Sequence, residues 1–180
     1  MKKNVLVGVC GGIAGYKTCE LVRLLVKSGY KVKVMMTPSA GQFVAPLTFQ
    51  TLSQNPVYQN MFALIQEKSV EHIALAQWAD LCVIAPLSAS TLGKLACGIC
   101  DNLLTTVVCA LAQKTPVVLA PAMNDNMWKN PIVQDNTAKL KKIAGYLIVG
   151  PQKGELACGS YGEGRMAEPD AILEQIKKIR

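Results

Sequence analysis

Short apolar segments alternate with helical segments along the chain, and this alternation constrains the fold more than any other feature. The β-branched apolar segments predict strands at Asn4–Cys10, Lys31–Met36, Ala79–Pro86, Thr115–Pro121 and Tyr146–Gly150. Helical spacing of apolar residues predicts helices at Tyr16–Lys27, Ser69–Trp78, Ser88–Cys97, Leu103–Ala112, Pro131–Ile143 and Pro169–Ile179. Because strands that alternate with helices form right-handed βαβ crossovers, we expect an α/β fold whose parallel sheet has helices on both faces.

Length and composition indicate one domain over residues 1–180. Of the 180 residues, 51% are hydrophobic and 17% are charged, which suits a compact fold with a substantial core. No apolar run reaches the about 18 residues that a membrane span needs. The start, MKKNVLVGVCGG, is interpreted as a buried first strand rather than a signal peptide, because its apolar run is short and ends in glycines. We therefore predict a cytoplasmic protein without a membrane partner.

The charge and cysteine patterns argue against two classes of ligand. The net charge is +7, but the lysines are dispersed or lie on the late helices, and only 6% of residues are aromatic, so no nucleic-acid partner is predicted. The basic surface would suit a small anionic substrate. Most of the 7 cysteines lie in apolar segments, as reduced thiols of a cytosolic protein do. Cys97 and Cys100 form a CxxC pair without a second pair or a ligand histidine, so no metal site is predicted.

Distinctive turns follow four of the predicted strands. They read CGGIAG (10–15), TPSAG (37–41), APLSAST (85–91) and APAMN (120–124). Ligands of open parallel sheets bind outside the carboxyl ends of the strands. The sequence therefore predicts the functional site at this edge of the sheet.

The first two turns favour a phosphate-bearing ligand other than NAD. The glycines of the first turn could bring backbone amides close to a phosphate at a helix N-terminus, although a plain tight turn is as consistent with their spacing. NAD is disfavoured, because no acidic residue follows the second strand to hold a ribose diol. Hydroxyl groups cluster instead at three strand ends, and Ser88 could also be a helix cap. These hydroxyls belong to Thr37, Ser39, Ser88, Ser90 and Thr91.

Four further residues are candidates for chemistry, and two of them, His72 and Asn124, also have a structural interpretation. His72, the only histidine, follows the possible cap Ser69 and is either a neutral base or an ordinary surface or core histidine. Asn124 could cap the next turn or bind a substrate carboxylate, and Arg165 could pair with a carboxylate or phosphate. Cys158 lies in KGELACGSYGEGRM (153–166), whose glycines predict a mobile loop. A thiol in such a loop does not serve to fill a core.

Several longer motifs carry a resemblance to a known family. They are GGIAGYK (11–17), PLTFQTLS (46–53), HIALAQWAD (72–80), APLSASTLGKLACGICDNLLT (85–105), PAMNDNMW (121–128) and ACGSYGEGRM (157–166). With these motifs the chain resembles the flavin-dependent cysteine decarboxylases, nearly from end to end. Within them it is most similar to the group that acts on 4'-phosphopantothenoylcysteine in coenzyme A biosynthesis. The resemblance implies a three-layer Rossmann/flavodoxin-like fold and FMN as cofactor.

The resemblance also implies roles for individual residues. His72 would be the base, Asn124 would hold the substrate carboxylate, and Cys158 would donate a proton from a flap. FMN would contact Gly11, Gly12, Ile13, Thr37, Ser39, Ser88, Ala89, Ser90, Thr91 and Ala122. The substrate would contact Met123, Asn124, Ala157, Arg165 and Met166.

The implied reaction explains these residue types. Direct loss of CO₂ from a cysteine amide would leave an unstabilised carbanion, whereas prior oxidation of the CH₂–SH group to a thioaldehyde provides an electron sink. Decarboxylation then gives an enethiolate, and return of hydride and a proton yields 4'-phosphopantetheine. A thiol is a suitable acid for the last step, and a glycine-hinged flap could bring it to the substrate.

The resemblance leaves two alternatives and two departures. A relative could decarboxylate the C-terminal cysteine of a peptide, but such relatives generally lack the ACGxxGxGRM motif. A relative could also be a non-catalytic flavoprotein that regulates a partner, but such proteins tend to carry acidic extensions. Many bacterial members continue into a ligase domain, so for a chain ending at Arg180 we expect a separate ligase upstream in the pathway. Gly15 stands where alanine is common. The resemblance further implies a homo-oligomer built from trimers.

Overall fold

The sheet has the strand order of a Rossmann fold. The computed structural model describes residues 3–62, 71–155, 157, 159 and 161–179, so the predicted cap Ser69 and the candidate acid Cys158 lie outside the described residues. The strands of the main sheet are β1 (Asn4–Val9), β2 (Lys31–Met36), β3 (Val57–Tyr58), β4 (Leu81–Leu87), β5 (Val117–Pro121) and β6 (Tyr146–Ile148). They are all parallel, in the order β3-β2-β1-β4-β5-β6. The predicted fold class is confirmed.

Helices cover both faces of this sheet. They are α1 (Gly15–Lys27), α2 (Pro46–Ser53), α3 (Glu71–Trp78), α4 (Ala89–Cys97), α5 (Leu103–Ala110), α6 (Asp125–Lys129), α7 (Pro131–Lys141) and α8 (Pro169–Lys178). One core lies under α1, α2 and α8, and the other lies under α3, α4, α5 and α7. In β1, Val5 and Val7 enter the first core and Leu6 enters the second. Complete burial of each such side chain contributes about 1.5–3 kcal/mol. Within the described ranges, no helix combines the length and apolarity that crossing a bilayer requires.

The chain reverses its direction across the sheet between β1 and β4. After β1 it continues to β2 on one side, and after β4 it continues to β5 on the other. The helices that follow β1 and β4 therefore diverge, which leaves a crevice at the carboxyl ends of these two strands. Thr18 of α1 donates a buried hydrogen bond of 2.7 Å to the carbonyl of Ala85 in β4, which fixes one wall of the crevice.

The predicted elements match the observed ones with small shifts. The bounds of β2 are as predicted, whereas β1 ends one residue early and β5 begins at Val117 rather than Thr115. Ser88 caps α4 as expected, since its hydroxyl accepts a hydrogen bond from the amide of Thr91 at 3.3 Å. The elements without a prediction are α2, β3, α6 and the 3₁₀ helix Pro38–Gln42.

The prediction of a loop over residues 153–166 was wrong for residues 153–155 and 161–165. Strand β7 (Gln152–Glu155) pairs antiparallel with strand β8 (Tyr161–Arg165) as a β-hairpin. The glycines at alternate positions of β8 led to the prediction of a loop, because glycine usually weakens a strand. Here Gly162 and Gly164 face the turn after β5 at a distance that excludes a side chain. In this strand, glycine therefore allows the backbone of β8 to pack closely against the turn after β5.

Candidate active site

A cavity of about 760 Å³ opens in the crevice at the carboxyl edge of the sheet. Its walls are the turns after β1, β4 and β5, together with the β7–β8 hairpin. Of the residues predicted to contact a cofactor, the cavity is lined by Gly11, Gly12, Ile13, Ser88, Ala89 and Ala122. It is also lined by all of the residues predicted to contact substrate, namely Met123, Asn124, Ala157, Arg165 and Met166.

The turn after β1 is packed closely on one side and open on the other. A Cβ atom on Gly11 would lie 2.5 Å from Ser39 Oγ, so a larger residue there would displace the turn after β2. A Cβ atom on Gly12 would meet no atom within 4 Å, so this part of the turn faces open space in the cavity. Backbone at this position can therefore approach a ligand closely.

The remaining predicted hydroxyls support the wall rather than line it. The hydroxyls of Thr37 and Ser39 are 3.2 Å apart, and Ser39 backs onto the turn after β1. Thr91 is buried within α4 and bonded to Ser88. The cavity lining does not include the described residues Thr37, Ser39, Ser90 and Thr91. Three of them are next to lining residues: Ser39 is next to Gly11, Ser90 follows Ala89, and Thr91 is hydrogen-bonded to Ser88.

Asn124 is a helix cap and also lines the cavity. It is the N-cap of α6, where its Oδ1 accepts a hydrogen bond of 2.9 Å from the amide of Asn126. It also lines the cavity beside Met123. The cap fixes the orientation of the side chain, and a pre-oriented amide is suited to binding a carboxylate.

Three charged side chains form a network at the cavity. Lys17 Nζ lies 2.8 Å from Glu168 Oε1, and the same oxygen accepts a hydrogen bond from Arg165 Nη2. Hydrogen bonding from the Lys17 ammonium, reinforced by Arg165, lowers the pKa of the Glu168 carboxyl. Two cations share one carboxylate, so the network carries one net positive charge. Such a wall favours an anionic ligand.

His72 lies apart from this cavity. It is in the first turn of α3 and is absent from the residues that line the cavity around Asn124. Its Nδ1 atom is buried and has no hydrogen-bond partner among the described residues. Buried polar atoms are seldom left unpaired, so we expect the partner of this nitrogen to lie outside the described residues.

Sequence reasoning assigned no role to Lys17, Glu168 or Met127. Lys17 and Met127 line the cavity, and Glu168 holds both cations there. A signal for two of them was present, since Lys17 ends the motif GGIAGYK and Met127 lies in PAMNDNMW. Nothing in the spacing indicated the contact between Lys17 and Glu168, which are separated by 151 positions.

A second cavity is a poorer candidate for catalysis. It has a volume of about 410 Å³ and lies between α4, α5 and the first residues of β5 and β6. This is the opposite edge of a parallel sheet, where ligands of such folds do not usually bind. No cluster of three or more metal-ligating side chains occurs in the part of the chain that the structure describes.

Comparison with known proteins places this geometry in a family. The sequence profile of the Flavoprotein family matches residues 1–180. The chain belongs to the Flavoprotein family. This flavoprotein is 47% identical over 178 residues to a probable phosphopantothenoylcysteine decarboxylase of Streptococcus mutans, covering 99% of both chains. It is also 47% identical to the coenzyme A biosynthesis bifunctional protein CoaBC of Bacillus subtilis, but spans only 43% of that relative.

Solved structures extend the likeness to the whole fold. A cysteine-to-serine variant of PPC decarboxylase, complexed with pantothenoylaminoethenethiol, superposes with a TM-score of 0.86 at 36% identity. The match covers 98% of this chain and 97% of that one. The FMN binding protein AtHal3 superposes with a TM-score of 0.84 at 38% identity, over 98% and 96% of the two chains.

The residues of this flavoprotein fit a flavin mononucleotide. The cavity volume of about 760 Å³ lies within the range usual for cofactor sites. The turn at Gly12 presents backbone with no side chain in front of it, and Ser88 adds a hydroxyl at the cavity. Apolar lining from Ile13, Ala122 and Met123 suits the flat faces of an isoalloxazine ring.

Proposed function

We propose that this flavoprotein catalyses the FMN-dependent decarboxylation of 4'-phosphopantothenoylcysteine to 4'-phosphopantetheine in coenzyme A biosynthesis. The observation that carries the proposal is the composition of a single cavity. Its walls join the glycine turn at Gly11 and Gly12 to Asn124 and to residues of the ACGSYGEGRM motif. FMN belongs at the glycine turn, and the cysteine end of the substrate belongs between Asn124 and the hairpin.

The chain's own residues bind and orient the reactants. FMN, when bound, supplies the two-electron oxidation of the CH₂–SH carbon and the later return of hydride. The Asn124 amide donates to the substrate carboxylate, with Met123 beside it. The positive charge shared by Lys17 and Arg165 stabilises the anionic substrate at the same cavity. The hairpin covers the site and limits the access of water.

The function is tested by the cofactor and product of the purified protein. We expect a yellow protein whose heat-released cofactor co-elutes with FMN rather than FAD. We also expect CO₂ release from 4'-phosphopantothenoylcysteine at least tenfold faster than from a peptide ending in cysteine. A colourless protein that ignores added FMN would refute the proposal, and preference for the peptide would indicate the second substrate class.

We further propose that Cys158 donates the final proton. Serine has a similar size but is a much weaker acid than a thiol, so Cys158→Ser should slow protonation of the enethiolate by orders of magnitude. The variant should lose its yellow colour on mixing with substrate and release about one CO₂ per site, because the earlier steps do not use this group. Stopped-flow absorbance and mass spectrometry of the quenched mixture measure both. If the colour persists while FMN stays bound, the cysteine acts earlier than proposed.

We propose that the protein is a homo-oligomer built from trimers, with FMN near the subunit boundaries. Large apolar side chains are exposed around the junction of α1 and α2, notably Tyr16 at 60%, Phe43 at 52% and Leu47 at 68%. Exposed apolar patches of this kind mark interfaces between proteins. Tyr16 also lines the cavity, so the patch continues into its mouth. The orphan nitrogen of His72 supports a site completed by a second copy.

Light scattering tests the assembly with a matched pair of variants. We expect the wild-type mass to be a multiple of three chains of 19.4 kDa. Leu47→Asp should lower that mass, because it buries a charge in the proposed interface. Ile132→Asp is the control, since Ile132 is 71% exposed on α7, away from the patch. A wild-type monomer at micromolar concentration, or an equal effect of both variants, would contradict this interface.

Two further proposals concern the setting of the enzyme. We propose that residues 1–180 act as a single decarboxylase domain, with the upstream ligase on a separate protein. The Streptococcus mutans relative, matched over 99% of its own length, supports this. We also propose a cytoplasmic location, in keeping with the metabolic role of the relatives. Co-purification of ligase activity on the same polypeptide would contradict the first proposal.

A further inference from the structure

Strand β8 is joined to the turn after β5 by its backbone. The amide of Met123 donates a hydrogen bond of 2.9 Å to the carbonyl of Gly164. A Cβ atom on Gly164 would lie 2.1 Å from the carbonyl oxygen of Met123, so the two backbones are in direct contact. We refer to these contacts between β8 and residues 123–125 as the β8 joint.

Asp125 contributes the side-chain hydrogen bonds of the β8 joint. Its Oδ1 accepts a hydrogen bond of 2.9 Å from the backbone amide of Glu163, and its Oδ2 accepts one of 2.8 Å from Lys129 Nζ. Only 18% of the Asp125 side chain is exposed, and a Cβ atom on Gly162 would lie 2.6 Å from its carboxyl carbon. Glycine at position 162 is thus what allows the carboxylate to reach the strand. The Lys129 ammonium, followed by the Glu163 amide, lowers the pKa of Asp125, so the carboxylate is charged at neutral pH.

The two sides of the β8 joint also form two walls of the cavity. Met123 and Asn124 line one wall, and Ala157 and Arg165 of the hairpin segment line the other. The position of the hairpin relative to Asn124 therefore depends on the joint. A substrate held by Asn124 and covered by the hairpin requires both walls at a fixed separation, because small displacements of reacting groups cost large factors in rate.

We propose that Asp125 is a positioning residue, whose Oδ1 holds the Glu163 amide so that the hairpin is set against the Asn124 wall. This role rests on the proposed decarboxylation for its effect on rate, but the attachment itself is independent of that reaction. Asp125 lies within the motif PAMNDNMW, but it is not among the residues that the resemblance implicates in binding or chemistry. Its role is to orient the cover of the cavity, and it does not touch the reacting atoms.

Three variants separate the hydrogen-bond acceptor from the charge. Asp125→Asn keeps an oxygen that can accept from the Glu163 amide and loses the ion pair. Asp125→Leu has a similar size and no acceptor. Lys129→Met removes the other partner of the same carboxylate and leaves the acceptor in place.

Amide hydrogen exchange of the FMN-loaded protein measures the attachment, and steady-state kinetics measures its consequence. Loss of a hydrogen bond to a charged acceptor corresponds to about tenfold or more in an equilibrium. We therefore expect exchange at the Glu163 amide to rise about tenfold in Asp125→Leu, with kcat/KM falling by a similar factor. FMN affinity should stay within about twofold of wild type, since the glycine turn is unaffected. Lys129→Met should resemble wild type in both measurements, and Asp125→Asn should lie between wild type and Asp125→Leu, because a neutral oxygen accepts a weaker hydrogen bond than a carboxylate does.

Each contrary outcome overturns the proposal. Unchanged exchange at Glu163 in Asp125→Leu means that the carboxylate does not hold the strand. Faster exchange with normal kcat/KM means that the position of the hairpin is irrelevant to the reaction. A defect in Asp125→Asn equal to that in Asp125→Leu means that charge, rather than the acceptor, is required. If Asp125→Leu does not fold, Asp125→Ala serves in its place. If wild-type protein releases no CO₂, the proposed function fails, while the exchange data still decide the attachment.

Discussion

Replacing Asn124 by aspartate is expected to abolish decarboxylation while leaving the fold and the bound FMN intact. Aspartate is as good an N-cap as asparagine, so the hydrogen bond to the Asn126 amide and the start of α6 should persist. The change instead sets a negative charge against the substrate carboxylate. Two like charges about 4 Å apart repel by roughly 4 kcal/mol at an effective dielectric constant of 20, which corresponds to about 1,000-fold in kcat/KM.

A second substitution at the same position serves as the control. Asn124→Ser also caps the helix and stays neutral, so it removes the amide without adding repulsion. We expect it to retain more activity than Asn124→Asp, and we expect thermal unfolding and flavin content of both variants to match wild type. Turnover of Asn124→Asp within a few-fold of wild type would show that Asn124 does not face the carboxylate.

The location of the site could be predicted from sequence, because it depends on topology alone. Parallel strands place all their following turns at one edge, so the turns at Gly11, Ser88 and Asn124 had to converge once the alternation of strands and helices was recognised. The absence of an acidic residue after β2 disfavoured NAD, and the likeness to FMN-binding structures supports FMN as the cofactor. These inferences require only the direction of each strand, and small errors in its ends do not affect them.

Other features depend on contacts between distant parts of the chain. In the sequence alone, Gly162 and Gly164 resemble loop glycines. Only the folded chain shows that Asp125 and Met123 pack against them. Strand β3 has two residues, which is too short for any periodicity, and α2 buries only Phe49 and Ser53. Helix α2 nevertheless begins with a proline at its first position, Pro46, a common helix start that would have predicted it.

His72→Asn is the second substitution expected to abolish decarboxylation. The Nδ1 atom of His72 is buried without a partner among the described residues, so loss of this atom breaks no hydrogen bond among them. Asparagine cannot act as a base, so chemistry should stop, with kcat reduced at least about 100-fold, the usual contribution of general acid–base catalysis. Flavin content and melting temperature are the controls. A near-normal kcat would show that His72 does not act as the base.

Mixing the two inactive variants tests where His72 acts. His72 is absent from the residues that line the cavity around Asn124. If a trimer forms each site from His72 of one copy and Asn124 of the next, a hybrid of His72→Asn and Asn124→Asp chains contains some intact sites. Every mixed trimer in a closed ring contains one intact site of three, so the isolated hybrids should regain about one third of wild-type activity. Co-expression with two affinity tags isolates the hybrids. Each site lies within one chain if tagged hybrids stay as inactive as the separate variants.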